Sequence, residues 1–554
     1  MGRSSSSEPP LTRWGYLRHF ARLAATGLAL MGIAVLASDL LSLVIPWLQH
    51  SVLNAVIAGQ LGRAWRQLEG WALVAVASKV VGVGNDLLAE RVRLHLANHA
   101  RGEVYRHLSQ RVPLELAEAR GASQAVADVG YAGASIEILV YGIRWVVGLG
   151  TRVVGGLVAM SLLSPVVLVS VAPFCIGYMV VPRILAQWIR RREARAQEAA
   201  VAARTPLLEF IAAAQEIRLF GAADWCLQRL RSVWERRIRS QWESHLALTT
   251  SDGLNWCLRT TAMLTAWSVG VSEVSAHRLS VGGLIAVSLY LTMLFEPLER
   301  VMSFQYHWVG WMLDVDRTIG VLNLPQGPSS EDPVRLDVDG PVEVQDLRVQ
   351  YQAASKPALR ADRLSMPAGA ATAIVGANGS GKSTLLKALL RFLVPQSGSV
   401  SFGGVPQERL DPGAFTRHVT GMVASPNLIS GTIRDNLHLA RPDADDAAIV
   451  ASIDAAGLGA WLATLPDGLN TRLAPDGQGL SSGQLQRLAL ARAILHGGRV
   501  WILDEPTSAI DRASVDEIWG TIRRFGHTLV VATHDPALVD RADHIIRVED
   551  GVAR

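Results

Sequence analysis

Six stretches of the chain, residues 23–47, 68–89, 137–160, 165–187, 247–271 and 281–304, are each long and apolar enough to cross a lipid bilayer. A hydrocarbon core about 30 Å thick takes about 20 helical residues to traverse. No water is available there to satisfy a free N–H or C=O, so apolar segments of this length fold as a bundle of helices. Six crossings bring the chain back to the side on which it began. With 554 residues and a mean hydropathy of +0.23, the chain is too long for one core and too apolar to be soluble throughout. A membrane part joined to a water-soluble part is therefore expected. The formal charge of +4 is small for this length and indicates no nucleic-acid partner.

The first residues, Met1 to Pro10, are polar, and Arg13, Arg18 and Arg22 precede the first apolar stretch without a cleavage site. This predicts a retained first span rather than a signal peptide. Trp14, Leu17 and Phe20 recur at helical spacing among the arginines, as in a short helix lying in the headgroup plane; an unstructured tail is the other reading. Arginines crowd residues 91–120 and 190–239, which the positive-inside rule assigns to the cytoplasm together with the N-terminus. Both segments are too long for simple loops and read as helical continuations of the spans. Arg63 and Arg66, in a loop assigned to the outside, run against the rule.

Asp39, Lys79, Asp86, Arg144, Arg152, Arg259 and Glu273 fall in or near the spans, where a central charge costs about 2.5–3.5 kcal/mol. Asp39, Arg144 and Arg259 are candidates for lining a polar translocation path; structural pairing or an interfacial position is the alternative for each. Cys175, Cys226 and Cys257 have neither disulfide nor metal-ligand spacing.

Residues 323–333 (NLPQGPSSEDP) collect Pro, Gly, Ser and acids and mark a linker. The expected division is a membrane domain over 1–325, a linker over 326–339 and a second domain over 340–554. That domain carries Gly376-Ala377-Asn378-Gly379-Ser380-Gly381-Lys382-Ser383-Thr384 between a strand-like run, residues 371–375, and a helix-like run, residues 385–393. Strand, glycine-rich loop and helix are the context a phosphate-binding loop requires. Its glycines let backbone N–H groups turn toward phosphates, Lys382 can reach the β and γ phosphates, and Ser383 can ligate Mg2+. Further on, the apolar run Val500-Trp501-Ile502-Leu503 ends in Asp504-Glu505. Asp504 is placed to hold the Mg2+ shell and Glu505 to polarise an attacking water.

Leu480-Ser481-Ser482-Gly483-Gln484 stands shortly before that second motif and resembles the signature sequence of the ATP-binding cassette (ABC) family, with Ser482 where glycine is commoner. Ser508-Ala509-Ile510-Asp511 resembles the family's D-loop, His534 of Thr533-His534-Asp535 its switch histidine, and Tyr351 its adenine-stacking aromatic. The whole chain resembles bacterial half-size ABC exporters. The resemblance implies an α-helical six-span transmembrane domain plus an α/β P-loop NTPase (ABC ATPase) domain, in a multi-pass protein of the bacterial inner (plasma) membrane with the N-terminus and ATPase domain cytoplasmic. It implies ATP and Mg2+ as ligands and a second half-transporter as partner, a homodimer first and a heterodimer second. Each ATP site would combine Lys382, Ser383, Asp504, Glu505 and His534 of one chain with Ser481 and Gly483 of the other, with Gln484 and Asp511 also in the ATP-binding set. Pro206 to Gly221, containing the run Gln215 to Gly221, resembles the second cytoplasmic loop, which by that resemblance docks on the partner's cassette.

One position departs from the pattern: Ala424 stands where the family places the Q-loop glutamine, with Ser425 and Asn427 as candidate polar substitutes. Export of an amphipathic or peptide-like substrate fits this organisation; uptake by the same fold and an ATP-gated channel or sensor are the competing classes. The first span starts almost at once, so no leader-cleaving peptidase domain is expected. The identity of the cargo is not readable from the residues.

Overall fold

In the computed structural model, which describes residues 10–325, 340–351, 357–474, 479–510, 512–525 and 528–554, the apolar stretches are the middle sections of much longer helices. Ahead of them runs α1 (Arg13–Leu23), capped by the Thr12 side chain, which accepts from the Gly15 N–H. The long helices are α2 (Ala25–Ile57), α3 (Leu61–Arg106), α5 (Glu137–Leu163), α6 (Pro165–Ala212), α8 (Ala223–Ser275) and α9 (Val281–Leu322). Two shorter ones, α4 (Leu114–Ala134) and α7 (Ala214–Leu219), join them. At 46, 48 and 53 residues, α3, α6 and α8 exceed the bilayer span roughly twofold, as the arginine-rich continuations predict. Gly121, at φ +74°, breaks α4 in two.

Five helices in the described residues are long and apolar enough to cross a membrane: α2, α3 with its extension to Arg111, the stretch Gln124–Leu163, α6 and the Val281–Leu298 part of α9. The sixth expected span lies inside α8, whose inward face is polar or small, with Ser251 and Asn255 buried. Small residues let helices approach closely in lipid. Ala262, Ala266 and Gly270 repeat every fourth residue on α8, and a Cβ at Gly270 would lie 2.3 Å from a Leu284 methyl of α9. Tyr178, Tyr290, Leu291 and Phe295 complete that core.

The interfacial reading of α1 is corrected in part. Trp14 remains exposed, but Leu17 and Phe20 are buried within the helical unit with Tyr16, whose hydroxyl meets Ser135 Oγ at 2.7 Å. Arg13 pairs with Asp316 of α9 at 2.5 Å. A bidentate contact to α9, not the headgroup layer alone, thus holds the start of the chain.

The second domain is a mixed α/β structure. Its strands are β1 (Val342–Val349), β2 (Leu359–Met366), β3 (Ala371–Val375), β4 (Ser397–Phe402), β5 (Val405–Pro406), β6 (Val419–Met422), β7 (Gly431–Thr432), β8 (Arg472–Leu473), β9 (Val500–Asp504), β10 (Thr528–Ala532), β11 (His544–Glu549) and β12 (Val552–Ala553). Ten form one sheet in the order β5-β4-β1-β2-β12-β11-β3-β10-β9-β6; β7 and β8 pair separately. The block β11-β3-β10-β9-β6 is wholly parallel. Parallel strands are covered on both faces and so read as continuous apolar runs: β9 is Val-Trp-Ile-Leu and β10 is buried at every residue. Side chains alternate between two apolar clusters, Ile502 and Val530 on one face, Trp501, Leu503 and Val531 on the other.

The chain divides into two compact units, Met1–Tyr105 with Val126–Asn323, and Arg106–Ala125 with Leu324–Arg554. The expected linker 326–339 lies outside the described residues.

Among the charged groups of the spans, Arg152 of α5 joins three helices. It donates to buried Asp39 of α2 at 2.8 Å and to Glu296 of α9 at 3.1 Å. Removing the cation leaves a buried carboxylate uncompensated, which costs about 3–5 kcal/mol in proteins. Arg152→Met should therefore lower the thermal unfolding temperature of the detergent-solubilised chain, and adding Asp39→Asn should restore most of the loss. Equal melting of the single and double variants would show that the pair contributes nothing.

Candidate functional site

Three parallel neighbours, β3, β10 and β9, end level with one another: Ile374 and Asp504 both pair in register with Ala532. The loops that follow therefore leave the sheet at one edge, where α/β folds place their ligands. After β3 comes the glycine loop. Gly379 and Gly381 adopt φ of +79° and +112°, and a Cβ at Gly376 would lie 2.2 Å from the Val548 carbonyl oxygen. These positions accept only glycine. The turn opens α10 (Lys382–Leu389), with Gly381 at its N-cap.

Lys382 is buried, and its Nζ donates to the Gly376 and Ala377 carbonyls at 2.8 and 3.0 Å. These hydrogen bonds thus go to neutral carbonyls, which do not balance the charge of a buried ammonium. Ser380 Oγ is buried without a partner, and Ser383 donates to Asp504. Burial raises the Asp504 carboxyl above its usual pKa, opposed by the Ser383 hydrogen bond and by Lys382. A buried cation and an orphaned hydroxyl in the glycine loop, with a desolvated carboxyl beside them at the end of β9, fit a nucleotide's phosphates. The oxygen donors of Ser383 and Asp504 fit Mg2+.

Glu505 sits just past β9 at φ +47°, an uncommon conformation for a side-chain-bearing residue. Its backbone N–H donates to Ala532 O at 2.9 Å, which locks the turn. The same turn presents Glu505 Oε1 to His534 Nδ1 at 3.0 Å. Tyr351 is half-buried against the sheet core, and its hydroxyl lies 3.3 Å from Thr384 Oγ1, so it is tethered to α10. Asn378 belongs to the turn preceding Gly379. Asp511 lies outside the described residues.

The Ser481–Gln484 motif begins the helix α15 (Ser482–His496); ahead of it in the chain come α11 (Pro412–His418), α12 (Ile433–His438), α13 (Asp446–Ala455) and α14 (Gly459–Thr464). Ser481 Oγ accepts from the Gln484 N–H and Gln484 Oε1 from the Ser481 N–H, a reciprocal capping box. Gln484 is thus occupied in holding the helix start, while Ser481 and Ser482 are exposed. Gly483 approaches the D-loop: a Cβ there would lie 2.9 Å from Ala509 O.

Two positioning groups escape a motif reading. Buried Gln486 donates to the Glu505 carbonyl and to Ser508 Oγ, and its Oε1 accepts from the Ala509 N–H at 2.7 Å. It ties this helix to the backbone of Glu505 and to the turn that follows it. The apolar helix face interrupted by one glutamine was the only signal of it. Arg492 donates to Asn436 Oδ1, Asn436 O and Asn427 O, while Asn436 brackets Ile429 from both sides. This clamp fixes the segment after Ala424, where Ser425 and Asn427 are exposed.

Residues 359–508 match the family described as ABC transporter, and residues 28–298 match the ABC transporter transmembrane region. The chain belongs to the ABC transporters. It carries the family's membrane and ATP-binding parts fused in that order. It is similar to the toxin RTX-I translocation ATP-binding protein of Actinobacillus pleuropneumoniae, 30% identical over 62% of this chain and 49% of that protein. It is also similar to antigen peptide transporter 2 of Rattus norvegicus, 30% identical over 64% and 51%. The chain spans about half the length of the curated relatives it matches. In fold it is similar to a bacterial Atm1-family ABC exporter with ATP bound, at TM-score 0.79 and 20% identity over 96% of this chain and 94% of that one.

Of the charged residues in the spans, Asp39 and Arg144 line a cavity of the helical unit together with Lys79, Asp86 and Arg152, whereas Arg259 does not. Glu273 pairs with Arg278 at the end of α8, at 3.6 Å.

Removing Gln486 leaves the Ala509 N–H unpaired, a penalty of about 1–3 kcal/mol, and the Glu505 carbonyl with the Ser508 N–H at 3.3 Å as its remaining donor. Gln486→Ala should destabilise the ATPase domain within that range in a denaturant titration of the full chain. A change below about 0.5 kcal/mol, the scale of an ordinary surface substitution, would show that the bridge is dispensable.

Proposed function

We propose that this chain is one half of a dimeric transporter that exports a small amphipathic or peptide-like substrate, driven by ATP hydrolysis. The observation that carries the hydrolytic reading is the Glu505–His534 hydrogen bond of 3.0 Å beside the Asp504–Ser383 pair, all at the carboxyl edge of β9 and β10. Lys382 would exchange its two carbonyl partners for phosphate oxygens. Ser383 and Asp504 would hold Mg2+, which supplies charge neutralisation at the phosphates. Glu505 orients the attacking water and accepts its proton, and His534 keeps that carboxylate in place through Nδ1.

The exposed Ser481 and Ser482 at the start of α15, with Gly483, are read as completing the second chain's site, so closure of two copies assembles the donors around the transferring phosphoryl group. The exposed Leu219 and Phe220 at the end of α7 suit docking on the partner's cassette. Homodimerisation is the reading because Glu505, His534 and the Ser481 motif are all present in one chain. Ala424, exposed and without a glutamine substitute in place, supports an unequal pair as the second reading. The exporter-like fold and the division into 1–325, 326–339 and 340–554 favour a bacterial inner-membrane location with the ATPase domain cytoplasmic.

Glu505→Gln in the chain reconstituted in nanodiscs should lower ATP turnover at least about 100-fold, the lower end of a general-base contribution, with ATP affinity kept within about threefold. Turnover at the wild-type rate would remove Glu505 as the base. ATP-dependent accumulation of substrate in inside-out vesicles supports export; ATP-dependent depletion from preloaded ones identifies uptake.

A further inference from the structure

A cavity of about 950 Å³ lies within the helical unit, lined from α2, α3, α5 and α9. That is the size of a small-molecule site. Its lining follows helical periodicity on each element: Ala75, Lys79, Gly82 and Asp86 on α3, and Glu137, Tyr141, Arg144, Gly148 and Arg152 on α5. Nearly every charge facing it is neutralised from inside the protein. Arg144 pairs with Asp86 at 2.5 Å, and Arg152 with Asp39 and Glu296. Glu137 accepts from Trp311 Nε1 at 3.0 Å and lies 3.8 Å from Arg93.

Lys79 is the exception: an exposed residue of the cavity's lining, it has no hydrogen-bond or ion-pair partner among the described residues. A bare ammonium at membrane depth is expensive, and the cavity is where a counter-charge can reach it. A second unmet group lies two turns along the same helix. Asn85 is 5% exposed, lines the cavity, and its Oδ1 has no partner. Tyr141 and Trp311, also in the lining, stack with centroids 5.9 Å apart and planes at 11°, offering aromatic surface.

An ammonium, an unpaired amide and an aromatic surface ask for complementary parts on one molecule. We propose that this cavity binds an amphipathic organic carboxylate with an N–H donor and an aromatic or apolar body, its carboxylate on Lys79. The inference rests on the transporter reading and names the cargo's chemical class. A neutral lipid-like or cationic cargo would leave Lys79 unmet, and phosphate headgroups are the rival source of anion.

The test uses the full chain in nucleotide-free nanodiscs with two fluorescent probes, dansyl-phenylalanine and its carboxamide. The acid should bind about tenfold more tightly than the amide, the value of one charge-assisted hydrogen bond. Lys79→Met should abolish that preference while leaving the amide's affinity within about twofold, and Lys79→Arg should retain most of it. Equal affinities in the wild type, an acid preference surviving Lys79→Met, or no acid binding by material that hydrolyses ATP would each overturn the proposal. So would loss of the preference on adding phosphatidylglycerol to phosphatidylcholine nanodiscs, which assigns Lys79 to headgroups. Because no ATP is present, an acid preference that depends on Lys79 stands even if vesicle assays show uptake or no transport.

Discussion

The common ending of three parallel strands governs the chemistry of this chain. Because β3, β10 and β9 run in register, the glycine loop, the His534 turn and the Asp504-Glu505 turn emerge side by side, although the glycine loop stands more than a hundred residues before the other two in the sequence. A slip of one residue in any of these pairings would turn its buried side chains to the opposite face of the sheet. The two apolar clusters that sandwich the strands resist such a slip: Trp501 and Leu503 belong to one and Ile502 to the other. Burial at that edge also leaves charges poorly solvated, and desolvation there raises the pKa of the Asp504 carboxyl.

The membrane unit obeys the converse constraint. Lipid supplies no hydrogen bonds, so charge inside the bundle must be met by protein or by a cavity. Arg152 answers this by bridging α2 and α9, and Arg144 by pairing back to α3. The apolar surface pointing away from these pairs, including Leu30, Ile33, Leu73 and Val80, is exposed and suits contact with acyl chains. Small residues on α8 then let α9 pack closely enough to close the core.

Local signals served well where one residue type meets one backbone demand. The glycines of the loop were recognisable because nothing else tolerates their φ angles or the approach of Val548, and Asp504-Glu505 because an apolar strand ends in two acids. The helical continuations were legible from arginine runs at helical period. The burial of Leu17 and Phe20 was not, since an apolar stripe on a basic helix has the same pattern whether it meets lipid or protein. Gln486 and Arg492 were equally silent: a polar residue in a helix declares no partner until the chain folds back.

The amino-acid sequence by itself determined the long apolar helices, the order of membrane part and ATP-binding part, and the glycine-rich loop between strand and helix. Each is set by local sterics, periodicity or the length of an apolar run. Only the tertiary structure decided that Glu505 faces His534, that Gln486 braces the turn running from Glu505 to Ala509, and that Lys79, unlike the cavity's arginines, has no counter-charge among the described residues. Those facts depend on distances between groups far apart in the chain, and electrostatic compensation is a property of the packed arrangement rather than of any single segment.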